Sequence, residues 1–362
     1  MTRGFVPLDH ARALAPVACE FVAERAPDAL NHERLRALNA ARTACADAVD
    51  DDALARAFER YVRVASEAGA ALEAGPSGGS GPRWNSSLEH GGPRARAYDS
   101  LGLAGERALG MFGLASCHRR ACMREIEAAE MSDEGLGEEA ATRAAASARR
   151  AAGVFAYLSS TALPPLRESL GAERANELTA SMSEVMALMS LGDAQGVAAR
   201  RAGERGAGWN LRARLHVAAS DFYRDADSIL RNSRSDWNGV DILVLASVLF
   251  ARCVHEAEAY LCHAEALREA DKCGEAIAAC ARAADALNTC EKASFESPAW
   301  TRYHIDLIAR QRALASRLAK ENEVVFFQTV PKSGVTLPEP AVVATAIDYN
   351  PGDPAKHSFF LD

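Results

Sequence analysis

The chain has 362 residues, long for one compact core, and its 49% hydrophobic and 25% charged content is that of a folded protein and not of a disordered one. A net charge of −8 argues against nucleic acid as a principal partner and against a broadly basic membrane-binding face. Aromatic residues make up only 6%, so the core is expected to consist mainly of Ala, Leu and Val, small side chains that suit closely stacked antiparallel helices.

The N-terminal stretch Met1-Thr2-Arg3-Gly4-Phe5-Val6-Pro7 has no signal-peptide pattern, and residues 9–27 and 32–49 read as two helices parted by Ala26-Pro27-Asp28. A third helical pattern from Asp52 to Leu72 places Leu54, Phe58, Tyr61, Val62 and Ala65 on one face. The run Gly75-Pro76-Ser77-Gly78-Gly79-Ser80-Gly81-Pro82 opens a loop over 75–97, in which Trp84 stands alone before Gly91-Gly92-Pro93.

Helical pattern resumes near Leu101 and fills a core of about 98–320. Its breaks fall at Ser132–Gly137, Pro164-Pro165, Gly203–Trp209, Ser233–Gly239 and Phe295–Pro298. The longest apolar run, Ile242 to Ala251, has core-helix length and not the ~20 residues of a membrane span. Small and large residues alternate through Ala259-Tyr260, His263-Ala264, Leu267 and Ala283. Lys272-Cys273-Gly274-Glu275-Ala276-Ile277 is expected to open the second helix of a tetratricopeptide-like hairpin, with Gly274 in the turn. No 34-residue period recurs, which predicts an irregular superhelix. After Lys320 the β-branched and aromatic segment Val324-Val325-Phe326-Phe327 predicts an extended strap over 321–350, with at least two of those four side chains buried.

Nine cysteines without a secretion signal imply free thiols. Cys117, His118 and Cys122, and Cys253, His255, Cys262 and His263, lie inside helical pattern without a CxxC pair and read as core residues, so no metal is expected. There is no Walker loop, HExxH or Gly-x-Ser-x-Gly motif, and Gly203, Gly206 and Gly208 follow no strand. No catalytic residue and no cofactor are therefore assigned.

Several blocks, in order, carry a family resemblance. They are Asp52, Leu54, Phe58 and Tyr61; Trp84; Glu106-x-Ala108 with Phe112 and Ala115; Asp133-Glu134-Gly135-Leu136; and Ala152-Gly153-Val154-Phe155 with Leu158. Leu191-Gly192-Asp193-Ala194-Gln195, Ala219-Ser220-Asp221-Phe222-Tyr223 and the apolar ending before Val330-Pro331 complete the series. Together they resemble the Bro/Alix-type domain, a helical scaffold of endosomal sorting proteins, over roughly residues 5–350. Three departures stand out: Gly113 where the family has asparagine, glycine and serine before Trp84, which predict an incomplete small sheet, and Phe326-Phe327 in place of a tyrosine some relatives carry. The chain is also expected to resemble the family's single-domain members, without the larger relatives' arms and proline-rich tail.

The resemblance implies a mainly α fold: an elongated, boomerang-like superhelix with a tetratricopeptide-like hairpin, a small N-terminal β element and a C-terminal extended strap, as one domain over 1–362. It implies a monomeric cytosolic scaffold, recruited to endosomes and touching membranes only through partners. The partner it implies is the C-terminal amphipathic helix of an ESCRT-III subunit, a charged multivesicular body protein. A Rho-type small GTPase is the alternative partner, since one branch of the family shares this domain.

The groove residues it implies are Leu211 and Leu215, Ala198 at a position where relatives have an aromatic residue, Val343, and Asp133 or Glu134 at the rim. Read alone, Leu211 and Leu215 fit an ordinary helix-face core equally well. Arg200, Arg201, Arg205, Arg212 and Arg214 read either as a solvated face or as a complement to an acidic partner helix.

Overall fold

The computed structural model describes residues 15–16, 29–68, 83–89, 96–100, 102–131 and 135–351. Helices α1 (Ala29–Asp47) and α2 (Asp51–Ala68) pair first. Asp50 caps α2 by accepting from the Ala53 N–H at 2.7 Å, and Asp51 and Asp52 favour its positive N-terminal end. All five residues read as one apolar face of α2 are buried.

A small antiparallel sheet of β1 (Ala15–Pro16), β2 (Arg83–Asn85) and β3 (Ala97–Asp99) follows, with β2 central and Trp84 opposite both Pro16 and Tyr98. Two expectations are corrected here. Ala15–Pro16 is strand and not part of a helix over 9–27, the rest of which lies outside the described residues. The span read as a loop over 75–97 contains β2, because the indole N–H of Trp84 finds a buried carboxylate, Glu106, at 2.8 Å. Residues 75–82 lie outside the described residues.

The helical body consists of α3 (Leu103–Met131), α4 (Glu138–Tyr157), a one-turn α5 (Arg167–Leu170), α6 (Ala180–Glu204), α7 (Trp209–Asn232), α8 (Ile242–Glu269), α9 (Cys273–Thr289), a one-turn α10 (Glu291–Ser294) and α11 (Pro298–Glu321). The predicted breaks at 132–137, 203–209, 233–239 and 295–298 each separate two of these helices. Each long helix packs chiefly on its neighbours in the order α1–α2–α3–α4–α6–α7–α8–α9–α11, the one-dimensional arrangement of a superhelix. Thr179 caps α6 and Asp241 caps α8, while Pro298 opens α11 where a missing N–H costs nothing.

Gly113 owes its place to packing. A Cβ there would stand 2.2 Å from the Phe58 ring, which is fully buried between α2 and α3. The turn between α8 and α9 departs from expectation: Asp271, with φ of 57°, takes the left-handed position, and Gly274 is buried in the first turn of α9. Gly274 is needed for a different reason, since a Cβ on it would meet the Thr329 carbonyl oxygen at 2.5 Å.

That contact belongs to the strap, whose beginning also differs from expectation. The helix does not stop at Lys320; a π-turn carries Asn322–Phe326 onward and Phe327 ends it in the left-handed region. Asn322 fixes this end by exchanging two hydrogen bonds of 2.9 Å with the Gln328 backbone. Val324, Val325 and Phe327 are exposed, and only Phe326 packs on the core. The strap docks further along, where residues 328–349 run without regular structure over α9, then α7 and α6, then α4. Gln328 meets α9 through the Gly274 N–H at 2.9 Å, and at the far end the Ile347 N–H donates to the Arg149 carbonyl at 3.0 Å.

The far end leaves no room for a side chain beneath it, since a Cβ on Gly153 would lie 1.7 Å from the Ile347 carbonyl oxygen. Gly153→Ala is therefore expected to lift the strap from α4 and to cost about 1–3 kcal/mol, the usual price of overpacking. Hydrogen exchange should show a deprotected Ile347 amide. Unchanged protection would refute this close docking.

Candidate functional site

Where the strap crosses α6 and α7, it is held by directional bonds. Gln195 of α6 donates through Nε2 to the carbonyls of Leu215 (3.2 Å) and Ala341 (2.8 Å), and its Oε1 accepts from the Val343 and Ala344 amides, both at 3.0 Å. Arg214 of α7 adds two further bonds: its Nε donates to the Glu339 carbonyl and its own carbonyl accepts from the Ala341 N–H, each at 3.0 Å. Ala344 points inward and is buried in a cluster with Cys122 and Met123 of α3, Leu136 of the loop before α4, and Val197 of α6.

This crossing sorts the predicted groove residues. Leu211 is 45% exposed and Val343 55%, joined by Val342, another exposed apolar side chain that sequence reasoning did not assign. Ala198 is half-buried one turn beyond Gln195 on α6, and Leu211 lies one turn before Leu215 on α7. Both therefore sit between the strap crossing and the α6–α7 hairpin end. Leu215 departs from the expectation of exposure: it is only 4% exposed, where the strap crosses α7, and belongs to the core. Asp133 and Glu134 lie outside the described residues. The signal that could have found Gln195 was the motif Leu191–Gln195, quoted without a role for its amide.

The arginines around this face are largely engaged. Arg200 and Arg201 pair with Glu204 at 3.2 and 3.4 Å, and Arg205 pairs with Glu138 at 2.8 Å. Arg212 stacks over the Trp209 ring at 4.1 Å, and Arg214 holds the strap. The positive patch read from the sequence thus reduces chiefly to Arg212 and Arg214, the two without a carboxylate partner among these contacts.

Behind α7 lies a polar cluster joining α7, α8 and α11. Glu258 is buried and receives Arg310 at 2.7 and 3.0 Å and the Tyr303 hydroxyl at 3.0 Å. Burial alone would raise its pKa, but Arg310 overrides that and holds it down to about 2. His216, Glu258 and Cys262 bring donor atoms within 4.8 Å of one another, beside a recess of about 370 Å³ walled by Trp209, Cys262 and Arg310. Both Glu258 oxygens are already taken by Arg310, so the cluster works as an ion-paired staple. Of the four residues Cys253, His255, Cys262 and His263, the first three are buried, and His255 pairs with His216, Nδ1 to Nδ1 at 3.1 Å.

A BRO1-like domain family model matches residues 9–360. The BRO1 domain-containing protein BROX of Homo sapiens and that of Pongo abelii are each 31% identical over 144 residues, 40% of this chain and about a third (34%) of the relatives' length. Among solved structures, the ALIX BRO1–CHMP4C complex superposes with a TM-score of 0.70 at 16% identity, covering 96% of both chains. ALIX bound to the SIVmac239 PYKEVTEDL late domain gives 0.67 at 16% identity over 88% of this chain and 44% of that one. A Bro1 domain described for endosomal targeting gives 0.62 at 14% identity, over 91% and 85%.

The histidine pair sets a pH dependence. Burial, with His216 beside it, lowers the His255 pKa from 6.5 to about 3, and burial lowers that of His216 to about 4. Between these values and 6.5 the unfolded chain takes up protons that the folded chain refuses, so stability is full above 6.5 and is lost as pH falls. The unfolding free energy from urea titration is expected to drop by a few kcal/mol on acidification through this window, and His255→Phe, which keeps a ring against Tyr223, should flatten the profile. An equally steep profile in that variant would exclude His255 as the source.

Proposed function

This chain belongs to the BRO1-like domain family, and we propose that it is a non-enzymatic scaffold that receives the C-terminal amphipathic helix of an ESCRT-III subunit. The observation that carries this reading is a set of exposed apolar side chains, Leu211 of α7 and Val342–Val343 of the strap, on two elements that the crossing at Gln195 and Arg214 joins. Apolar anchors at i and i+3/i+4 on a partner helix would fill such a face, the physics of helix-in-groove recognition. A solved relative with the same fold is in complex with CHMP4C, which supports the partner class.

Within this reading the protein is a monomer brought to endosomes by its partner. No described helix is long and apolar enough to cross a membrane, and membrane contact is indirect. Ala198 offers little contact area where relatives place an aromatic ring, so affinity is on the order of micromolar or weaker. Arg212 and Arg214 favour an acidic helix and act mainly on its association rate, an effect that salt weakens.

Titration with C-terminal helices of ESCRT-III subunits from the same organism tests the proposal, with GTP-loaded small GTPases as the contrasting arm. Leu211→Asp should lose at least about thirtyfold in affinity, the scale of a ~2 kcal/mol hot spot, without a change in melting temperature, because Leu211 is already exposed. Ala198→Phe should tighten binding. Full affinity in Leu211→Asp, or binding only to a GTPase, would overturn the assignment.

A further inference from the structure

We propose that Gln195 is a positioning residue for partner recognition: its carboxamide locks the register of the strap on α6 and α7, so that the partner's seat is a composite of helical body and strap. The inference rests on the groove reading above and adds to it the residue that builds the second wall.

A glutamine side chain offers two N–H donors and one oxygen with two lone pairs. All four capacities are used here, and all act across elements: the donors reach Leu215 of α7 and Ala341 of the strap, and the oxygen reaches the Val343 and Ala344 amides. The side chain is fully buried, so none of these bonds competes with solvent. Neither aspartate nor glutamate could substitute, because a carboxylate would face the carbonyl oxygens of Leu215 and Ala341 with no proton to donate.

The clamp's effect is to fix register. In the strap Val342 and Val343 are exposed, whereas Ala344 is 4% exposed and plugs the cluster between α3, α4 and α6. In extended chain a slip of one residue turns each side chain to a different face. A slip that put Val343 into the buried seat of Ala344 would move Val342 into its place and Ala341 into that of Val342, so the exposed apolar wall would lose one of its two valines. An apolar contact tolerates such a slip; the three bonds to Ala341, Val343 and Ala344 of the strap do not.

The clamp is also separable from the strap's attachment. One end is tied by Gln328 of the strap to Gly274 on α9, the other at Arg149 on α4, where Arg149 also donates to the Thr345 carbonyl at 2.7 Å. Losing Gln195 therefore loosens the middle of the strap without freeing its ends, and the middle is the part that carries Val342 and Val343.

The test uses the full chain with Gln195→Met, which keeps the shape and removes all four bonds. Hydrogen exchange should speed up at the Val343 and Ala344 amides and stay slow at Ile347 and Gly274. Affinity for the ESCRT-III C-terminal helix should fall about tenfold or more. A merely structural role would not couple to a surface side chain, so the deciding comparison is a cycle with Val343→Ala: in that background Gln195→Met should cost little further affinity. Should Gln195→Met fail to fold, Val343→Asp, an exposed position, carries the same question, and its loss of affinity at wild-type stability supports the composite seat.

Unchanged affinity in Gln195→Met with deprotected strap amides, unchanged affinity in Val343→Asp, or additive losses in the cycle would each overturn the proposal, while Leu211→Asp still losing affinity would leave the groove reading standing. A wild-type chain that binds no ESCRT-III helix overturns both together.

Discussion

A carboxylate withdrawn from water must be met on its oxygens by donors, and in this stack of alanine-rich helices the donors come from other elements. Glu106 of α3 receives Arg42 of α1 at 3.2 Å, the Tyr61 hydroxyl of α2 and the Trp84 indole of β2 at 2.8 Å. Glu177, before α6, receives the Ser86 and Ser87 hydroxyls and the Ser87 amide that follow β2. Asp193 of α6 holds Arg119 of α3 at 2.7 Å and the Tyr223 hydroxyl of α7, and Glu258 of α8 holds Arg310 and Tyr303 of α11. These are the four buried carboxylates among the described residues; they join α1, α2, α3 and the sheet, then α3, α6 and α7, then α8 and α11. Burial raises the pKa of Glu177, against the lowering effect of its serine partners, and pushes the Tyr61 and Tyr223 phenols well above their ordinary value, the mark of groups withdrawn from solvent.

Such directional ties matter here because alanine packing is permissive. Helices faced with Ala approach closely but slide past each other at little cost, since methyl groups interlock poorly. Removing one partner of a buried pair leaves a stranded charge, so a register that breaks the pair is strongly disfavoured. The strap follows the same logic with an amide in place of a carboxylate: Gln195 lies two residues from Asp193, and the same stretch of α6 thereby fixes α3 and α7 on one side and the strap on the other.

Much of this was legible in the sequence. Proline, glycine and serine clusters marked nearly every helix boundary, because they act locally and independently of tertiary context. The apolar face of α2 followed from spacing alone. What escaped depended on distant residues. β-branched content suggested that Val324–Phe327 would leave the helix, yet Asn322 bonding to Gln328 carries the chain through a π-turn first, a contact no propensity encodes. Gly274 looked like a turn residue, but its constraint comes from Thr329, some fifty positions away. Leu211 and Leu215 were indistinguishable by period, and only the path of the strap separates the exposed one from the buried one.

The electrostatics of the candidate seat carry the argument a step further. An excess of acidic residues over the whole chain repels an acidic helix at long range, so a local positive field is needed for encounter. Glu204 and Glu138 neutralise most of the arginines near the α6–α7 end, and the two that remain are pre-organised, Arg212 by the Trp209 ring and Arg214 by the strap carbonyl it bonds. A guanidinium held in place loses little side-chain freedom when a partner arrives, which lowers the cost of ordering. Under the proposed reading, with Ala198 giving up contact area, these features favour fast, salt-sensitive and short-lived association with a partner helix.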